Sequence, residues 1–302
     1  IHDTTATDIS SETVGDPIGI TDGKVLLEEK DLVLQTPILG LEFIRSWRTP
    51  GNSSSVFRGG WEHSFEWKVL TDTEAGITPG TNTYQGVTGE FVTVKIPVNP
   101  YDGAFKGGKY FFVKGTLGPH IGTIIGVYHC VGRELKGASL YQTTSGWELS
   151  GISGSSVRYL FNTNGYLTQI SHPSSVNITL SYNSNNRLTN VAHSSGTSLS
   201  LTYSGNYLTQ VRNNRDTNLW MQYSYGAVSG AYDYAFNAIR HVSSSGSDNQ
   251  VFRYFYKTLE DADGVDQLVI ARKLTPVGNE YLWNYLTDGS LMADRAWIVA
   301  IS

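Results

Sequence analysis

Between Phe161 and Val211 one pattern is written three times: Phe161-Asn-Thr-Asn-Gly-Tyr-Leu167-Thr-Gln-Ile170, then Tyr182-Asn-Ser-Asn-Asn-Arg-Leu188-Thr-Asn-Val191, then Tyr203-Ser-Gly-Asn-Tyr-Leu208-Thr-Gln-Val211. The leading aromatics recur every 21 residues, and the leucines after 21 and then 20, because the third copy lacks one turn residue. A fixed period in the range of about 20–50 residues marks a repeat architecture, in which each unit buries its apolar face against its neighbours. Each copy opens on an alternating strand that ends at the aromatic, as in Val157-Arg-Tyr159-Leu-Phe161. Side chains two apart share a face of a strand. A polar Asn/Gly/Ser turn follows, of residue types that tolerate the positive φ of tight hairpins. A second short strand then carries the leucine and the closing Ile or Val. The expected unit is a β-hairpin, and the expected repeat core is Phe161, Leu167, Ile170, Tyr182, Leu188, Val191, Tyr203, Leu208 and Val211.

This pattern resembles the YD repeat of Rhs-type proteins and teneurins, with Tyr182-Asn-Ser-Asn-Asn-Arg-Leu188 the nearest copy and Asn183 where that family usually has Asp. The N-terminal half adds a second likeness. Asp16-Pro-Ile-Gly-Ile-Thr-Asp-Gly23, Leu41-Glu-Phe-Ile-Arg45-Ser-Trp47-Arg and Gly60-Trp-Glu-His63-Ser-Phe65 are similar to the segment that opens Rhs proteins. The resemblance implies an all-β fold: an open, partial shell of YD-repeat hairpins preceded by a β-rich region. It also implies a structural role. The autocleavage segment and toxin that end some Rhs proteins have no counterpart here, and a handful of hairpins cannot enclose a cargo.

The reading divides the chain into an extended arm over 1–14, a β-rich region over 15–150 and a hairpin array over 151–302. No segment reads as a confident helix. Pro97 to Gly108 reads as a long exposed loop, and Leu259 to Asp266 as an inserted one. The net charge of −5 and the absence of a Lys/Arg cluster argue against nucleic acid as a partner. No apolar run of about 18 residues is present to span a membrane as a helix. The single cysteine, Cys130, excludes an intramolecular disulfide and a cysteine-based metal site. No cofactor is expected. The chain starts at Ile1 without a signal sequence, which reads as a processed secreted protein, extracellular or at the cell surface.

Candidate chemistry is sparse. His172 and His193 occupy equivalent repeat positions, with Asn213 in the third, but equivalent positions lie two strands apart, about 9–10 Å, too far to share one ion readily. They read as turn residues. His129 and Cys130 are adjacent in a strand, so they face opposite ways, and Cys130 reads as a small buried hydrophobe. Asp261, Asp263, Gly264 and Asp266 suggest weak calcium binding only loosely, because the EF-hand spacing fails. Glu62 with His63, and Glu28 with Glu29, are acid/base candidates lacking a partner constellation. Asn52 and Asn177 stand in glycosylation sequons. The tryptophans read as repeat core before sugar-stacking platforms.

A short open sheet leaves strand edges, and unblocked edges are pairing sites. The apolar strand Trp297, Ile298, Val299, Ile301 and the strand-like arm with Ile1, Ile9 and Val14 are the assembly candidates. The leading expectation is therefore a secreted, non-enzymatic structural protein that self-associates by β-strand addition, as an extracellular filament subunit. The alternative is a toxin-shell or surface-adhesion module with a glycan or protein partner. A carbohydrate-active enzyme is the third.

Overall fold

A computed structural model describes residues 13–14, 18–19, 24–48, 56–57, 59–98, 101, 106–117, 123–132, 135, 137–226, 233–242, 249–286 and 288–300. The protein is nearly all β, with antiparallel sheets. Strands β1 (Thr13–Val14) and β2 (Ile18–Gly19) form a two-stranded ladder, and β3 (Leu26–Leu34), β4 (Leu41–Arg48) and β5 (Glu62–His63) form a three-stranded sheet in that order. There follow β6 (Lys68–Leu70), a one-turn helix α1 (Asp72–Ala75), β7 (Thr81–Tyr84), β8 (Val87–Val98), β9 (Lys106–Lys114), β10 (Ile124–Cys130), β11 (Ser139–Thr143) and β12 (Gly146–Ser150). The hairpin series runs through β13 (Arg158–Phe161), β14 (Leu167–Ser171), β15 (Asn177–Tyr182), β16 (Leu188–His193), β17 (Ser198–Ser204) and β18 (Tyr207–Asn213). It continues through β19 (Trp220–Gly226), β20 (Tyr234–His241), β21 (Gln250–Glu260), β22 (Asp266–Leu274), β23 (Asn279–Tyr285) and β24 (Ala293–Ala300).

The chain forms two compact units. The first comprises Ile1–Leu32, Ile44–Glu62 and Ser200–Ser302, the second Val33–Phe43 and His63–Leu199. Each unit thus takes a piece of the N-terminal region together with part of the hairpin series. In the second unit β9 to β16 pair in sequence order, each with the next. Its interior holds Trp67 stacked on Tyr159 (centroids 4.2 Å apart), with Phe161, Leu167, Ile170, Leu188 and Val191 buried. In the first unit β18 to β24 pair in the same manner, and Leu208 and Val211 are buried. Complete burial of such an aliphatic side chain contributes about 1.5–3 kcal/mol.

One turn geometry serves six hairpins, beginning at Asn162, His172, Asn183, His193, Asp261 and Thr275. In each, the first residue's N–H donates to the carbonyl four residues on, and the fourth residue's N–H donates back to the first carbonyl. That fourth residue has positive φ: Gly165, Ser175, Asn186, Gly196, Gly264 and Gly278. This is a type I turn closed by a left-handed bulge residue, and the register shifts at Phe161 and Tyr182 record the bulge. In five of the six, the first side chain accepts the N–H two residues on, at 3.0 Å from Asn164 to Asn162 Oδ1 and from Asp263 to Asp261 Oδ1. In the sixth, Thr275 Oγ1 accepts from Asn279 N–H instead. Asn, His, Asp and Thr share what the position needs, an acceptor close to the backbone. The third repeat copy uses a two-residue turn with Gly205 at φ 55°, hence its shorter spacing.

Tyr182 and Tyr203 depart from the expected core, being half-buried. The Tyr182 hydroxyl donates to Leu167 O at 2.7 Å, Tyr225 to Leu208 O at 2.6 Å, and Tyr285 to Ile270 O at 2.6 Å. Each acceptor lies beyond the paired residues of its ladder, which begin at Gln169, Gln210 and Arg272. The phenol therefore satisfies a carbonyl that strand pairing leaves over. Three other expectations are corrected. Thr71 and Glu74 form a capping box, which with left-handed Gly76 produces the turn of helix α1. β8 extends to Val98 and pairs with Lys106, shortening the predicted 97–108 loop. Leu259 to Asp266 is a tight hairpin, with Glu260 paired to Asp266.

Gly165 and Gly205 separate two effects. A Cβ at Gly165 would lie 2.0 Å from Val69 O, whereas one at Gly205 meets nothing within 4 Å. Gly205→Ala is expected to cost about 1–3 kcal/mol from the left-handed backbone alone, and Gly165→Ala distinctly more. Urea unfolding of both variants checks this, and equal costs would contradict the close approach.

Candidate functional site

Arg45, Trp47, Trp61 and His63, among the residues quoted above for the N-terminal likeness, take part in two buried polar clusters, one in each unit. In the first unit Asp31 on β3 meets Arg45 on β4. Arg45 Nη2 donates to Asp31 Oδ1 at 2.9 Å, and its Nε donates to Oδ2. Arg45 is fully buried, and its guanidinium lies 4.7 Å from the Trp61 ring centroid, 5.1 Å from Phe236, and 5.5 Å from both Tyr223 and Tyr254. Burial opposes the charge, but the Asp31 carboxylate outweighs it and the Arg45 pKa is raised. The Tyr223 hydroxyl donates to Asp31 Oδ2 at 2.6 Å, and Arg240 Nε donates to Asp31 O at 2.9 Å. Burial and the Asp31 charge hold the Tyr223 pKa well above its ordinary range, so the phenol stays protonated and donates. Trp61 Nε1 donates to Tyr256 Oη at 2.6 Å, and Trp47 Nε1 to Gly59 O at 2.7 Å.

In the second unit His63 on β5 stacks on Phe43, with centroids 4.9 Å apart, and is 1% exposed. Its Nδ1 accepts the Phe65 N–H at 3.2 Å, which leaves the proton on Nε2, 3.5 Å from Glu66 Oε1. Lys95 Nζ reaches Glu66 Oε2 at 3.3 Å. Burial, and secondarily Lys95, push the His63 pKa down to about 3. The imidazole is thus neutral at any physiological pH.

The other candidates are placed as follows. His172 and His193 are the first residues of repeat turns, each accepting an N–H on Nδ1 (Ser174 at 3.2 Å, Ser195 at 3.0 Å), and His193 Nε2 also contacts Ile38 O at 2.8 Å. Asn213 Oδ1 accepts Arg215 N–H at 2.9 Å in the third copy. Asp261 spends Oδ1 on the N–H groups of Asp263 and Val265 and Oδ2 on Gln267, and the Val265 amide leads the bonds that lower its pKa. Among the described residues no three His, Cys, Asp or Glu side chains group as a metal site would require. Glu29 pairs with Lys273 at 2.5 Å. Cys130 is half-buried rather than buried, and exposed His129 points away from it. Asn177 Oδ1 accepts from Gln169 Nε2 at 3.0 Å, and Asn52 lies outside the described residues. Trp47, Trp61, Trp67 and Trp283 are buried, and Trp220 is flanked by stacked His241 at 3.7 Å and by Arg212 at 4.9 Å. Of the assembly candidates, Val14 pairs with Ile18, while Trp297, Ile298 and Val299 pair with Leu282, Tyr281 and Glu280. Ile1, Ile9 and Ile301 lie outside the described residues.

Sequence reasoning missed Asp31 and Arg45 as a pair. The available signal was slight: Asp31 ends the charged run Glu28-Glu29-Lys30-Asp31 before Leu-Val-Leu, and Arg45 stands between Phe43-Ile44 and Ser46-Trp47. A family model described as a domain of unknown function (DUF6531) matches residues 15–84, less than half of the chain. The match contains Asp31, Arg45, Trp47, Trp61 and His63. No curated protein matches the chain.

Two outcomes follow. Arg45→Met strands a buried carboxylate and is expected to cost about 3–5 kcal/mol. The double variant Asp31→Leu/Arg45→Met is expected to cost less than that single change, as measured by denaturant unfolding. For His63, the unfolded chain takes up a proton near pH 6.5 while the folded protein takes it up only near 3. Stability is therefore complete above about pH 6.5 and declines as pH falls toward 3, by up to about 1.4 kcal/mol per pH unit. His63→Phe is expected to flatten the decline between roughly pH 6.5 and 5, above most carboxylate titration. An unchanged slope in urea melts would refute this assignment.

Proposed function

We propose that the chain is a non-enzymatic structural module of the Rhs/YD-repeat type, outside the cell or at its surface, which self-associates by β-strand addition. The observation that carries the association is the β1–β2 ladder. Among the described residues it pairs with no third strand, so each of its two short strands keeps an outer backbone edge. Strand addition at such an edge needs only main-chain hydrogen bonds with alternate side chains seated. The non-enzymatic part is supported by how the acid/base side chains are spent. His63 is held neutral inside the second unit, His193 uses both ring nitrogens on turn and backbone groups, and Asp31 is saturated by Arg45 and Tyr223. The YD-type reading is supported by the turns, where an acceptor following the strand's last residue organises the hairpin, as the resemblance implies.

Light scattering of the full chain, followed by negative-stain imaging, is expected to show particles larger than the 33.2 kDa monomer. Removal of residues 1–19, which takes away both strands of that ladder, is expected to leave a folded monomer. A full-length protein that stays monomeric at high concentration, or a truncated one that assembles unchanged, would overturn the mechanism.

A further inference from the structure

The second unit contains a cavity of about 260 Å³ between helix α1, the loop after it, β7, β8 and β10. Phe91 and Tyr128, both largely buried, and Ile77 give it apolar walls. Its polar lining includes the acceptors of Asp72, Asn82 and Glu90 beside the Thr78 hydroxyl. The Asp72 carboxylate has no hydrogen bond or ion pair with any described residue. Asn82 spends its Nδ2 on Thr78 O (2.7 Å) and Gly80 O (3.1 Å), which fixes the amide and leaves Oδ1 as an acceptor. Glu90 gives Oε2 to Lys114 at 2.5 Å and keeps Oε1. None of these groups belongs to the two buried clusters or to the repeat turns.

We propose that this cavity is a binding site for a single pyranose ring, a glycan terminus in chemical terms. The volume falls just below the range of about 300–1,000 Å³ that suits drug-sized ligands, and so suits one ring rather than a chain. The acceptors of Asp72, Asn82 and Glu90 are complementary to the hydroxyl donors of a sugar, the Thr78 hydroxyl can meet one of its oxygens, and the walls of Phe91, Tyr128 and Ile77 receive its C–H face. Lys114 offsets the charge of Glu90, so the site has one carboxylate in excess, a weak attraction for an organic cation. Tyr128, its pKa raised by burial, remains a neutral phenol beside that ion pair. The site is independent of self-association and survives if that reading fails.

Ligand-observed saturation-transfer NMR on the full chain tests this, using the methyl glycosides of glucose, galactose, mannose and N-acetylglucosamine, with choline as the cationic control. Transfer to the ring protons of at least one glycoside is expected, with millimolar affinity. Asp72→Ala and Glu90→Gln are each expected to weaken it by about tenfold. Asp72 sits in an exposed helical turn whose capping box it does not form, so Asp72→Ala retains the fold, which its unchanged melting curve verifies. No transfer to any glycoside at tens of millimolar, transfer that both variants retain in full, or binding of choline alone would each overturn the proposal.

Discussion

A guanidinium stripped of water among four aromatic rings needs a counter-charge fixed in place, and in the first unit Asp31 supplies it from the strand beside Arg45. Taking the two charges out of water costs several kcal/mol per ion. Their attraction offsets that cost because the contact is bidentate and the other acceptors of Asp31 are occupied, Oδ2 by Tyr223 and the backbone carbonyl by Arg240. The ring faces add cation–π attraction, stronger in a desolvated site than at a surface. Such a pair discriminates between registers more than it adds net stability. A slip of one residue would turn Arg45 to the other face of its strand and leave both charges alone. Trp47 and Trp61 close the same cluster with their own indole N–H groups bonded to Gly59 O and Tyr256 Oη.

The hairpins solve a complementary problem, how to stack many short strands without stranding backbone groups at each turn. A type I turn with a left-handed bulge closes six of the connections in five residues, and the first side chain ties down an N–H that the strand ladder cannot reach. On the other flank of these hairpins a carbonyl falls outside the ladder with the next strand. Tyr182, Tyr225 and Tyr285 meet that carbonyl with a hydroxyl. The aromatic of the repeat is thus part apolar filler and part hydrogen-bond donor. This explains a half-buried tyrosine where a fully apolar core residue was expected.

Much of this was legible in the sequence because it is periodic. The 21-residue spacing located the turns, the recurrence of the apolar pair located Leu167, Ile170, Leu188 and Val191 inside, and the lost turn residue of the third copy appears as the two-residue turn at Gly205. The equivalence of His172, His193 and Asn213 was legible as position, while its reason, a shared acceptor for the N–H two residues on, needed coordinates. What was not legible is long-range. Nothing local to Asp31 says that Arg45 lies beside it, or that Tyr223, far along the chain, will donate to it. His63 reads as a candidate base, since only tertiary burial against Phe43 removes its basicity. The helical turn at Asp72–Ala75 was missed because one turn has no periodicity to detect, although Thr71 and Glu74 stand at capping-box spacing.

Periodicity also governs where a ligand site can form. A residue inside the repeats faces the preceding strand on one side and the following strand on the other, so its polar groups are already engaged. Asn183 Oδ1, both ring nitrogens of His193 and the Tyr182 hydroxyl proton are committed to turn or backbone groups. That constraint lifts where the 21-residue period is absent. Helix α1, the loop after it and the β7–β8 hairpin follow no such spacing, and Asp72, Asn82 and Glu90 each keep an acceptor that no neighbour claims. Freedom from the repeat is what makes that corner of the second unit available for recognition, while the repeats themselves remain scaffold.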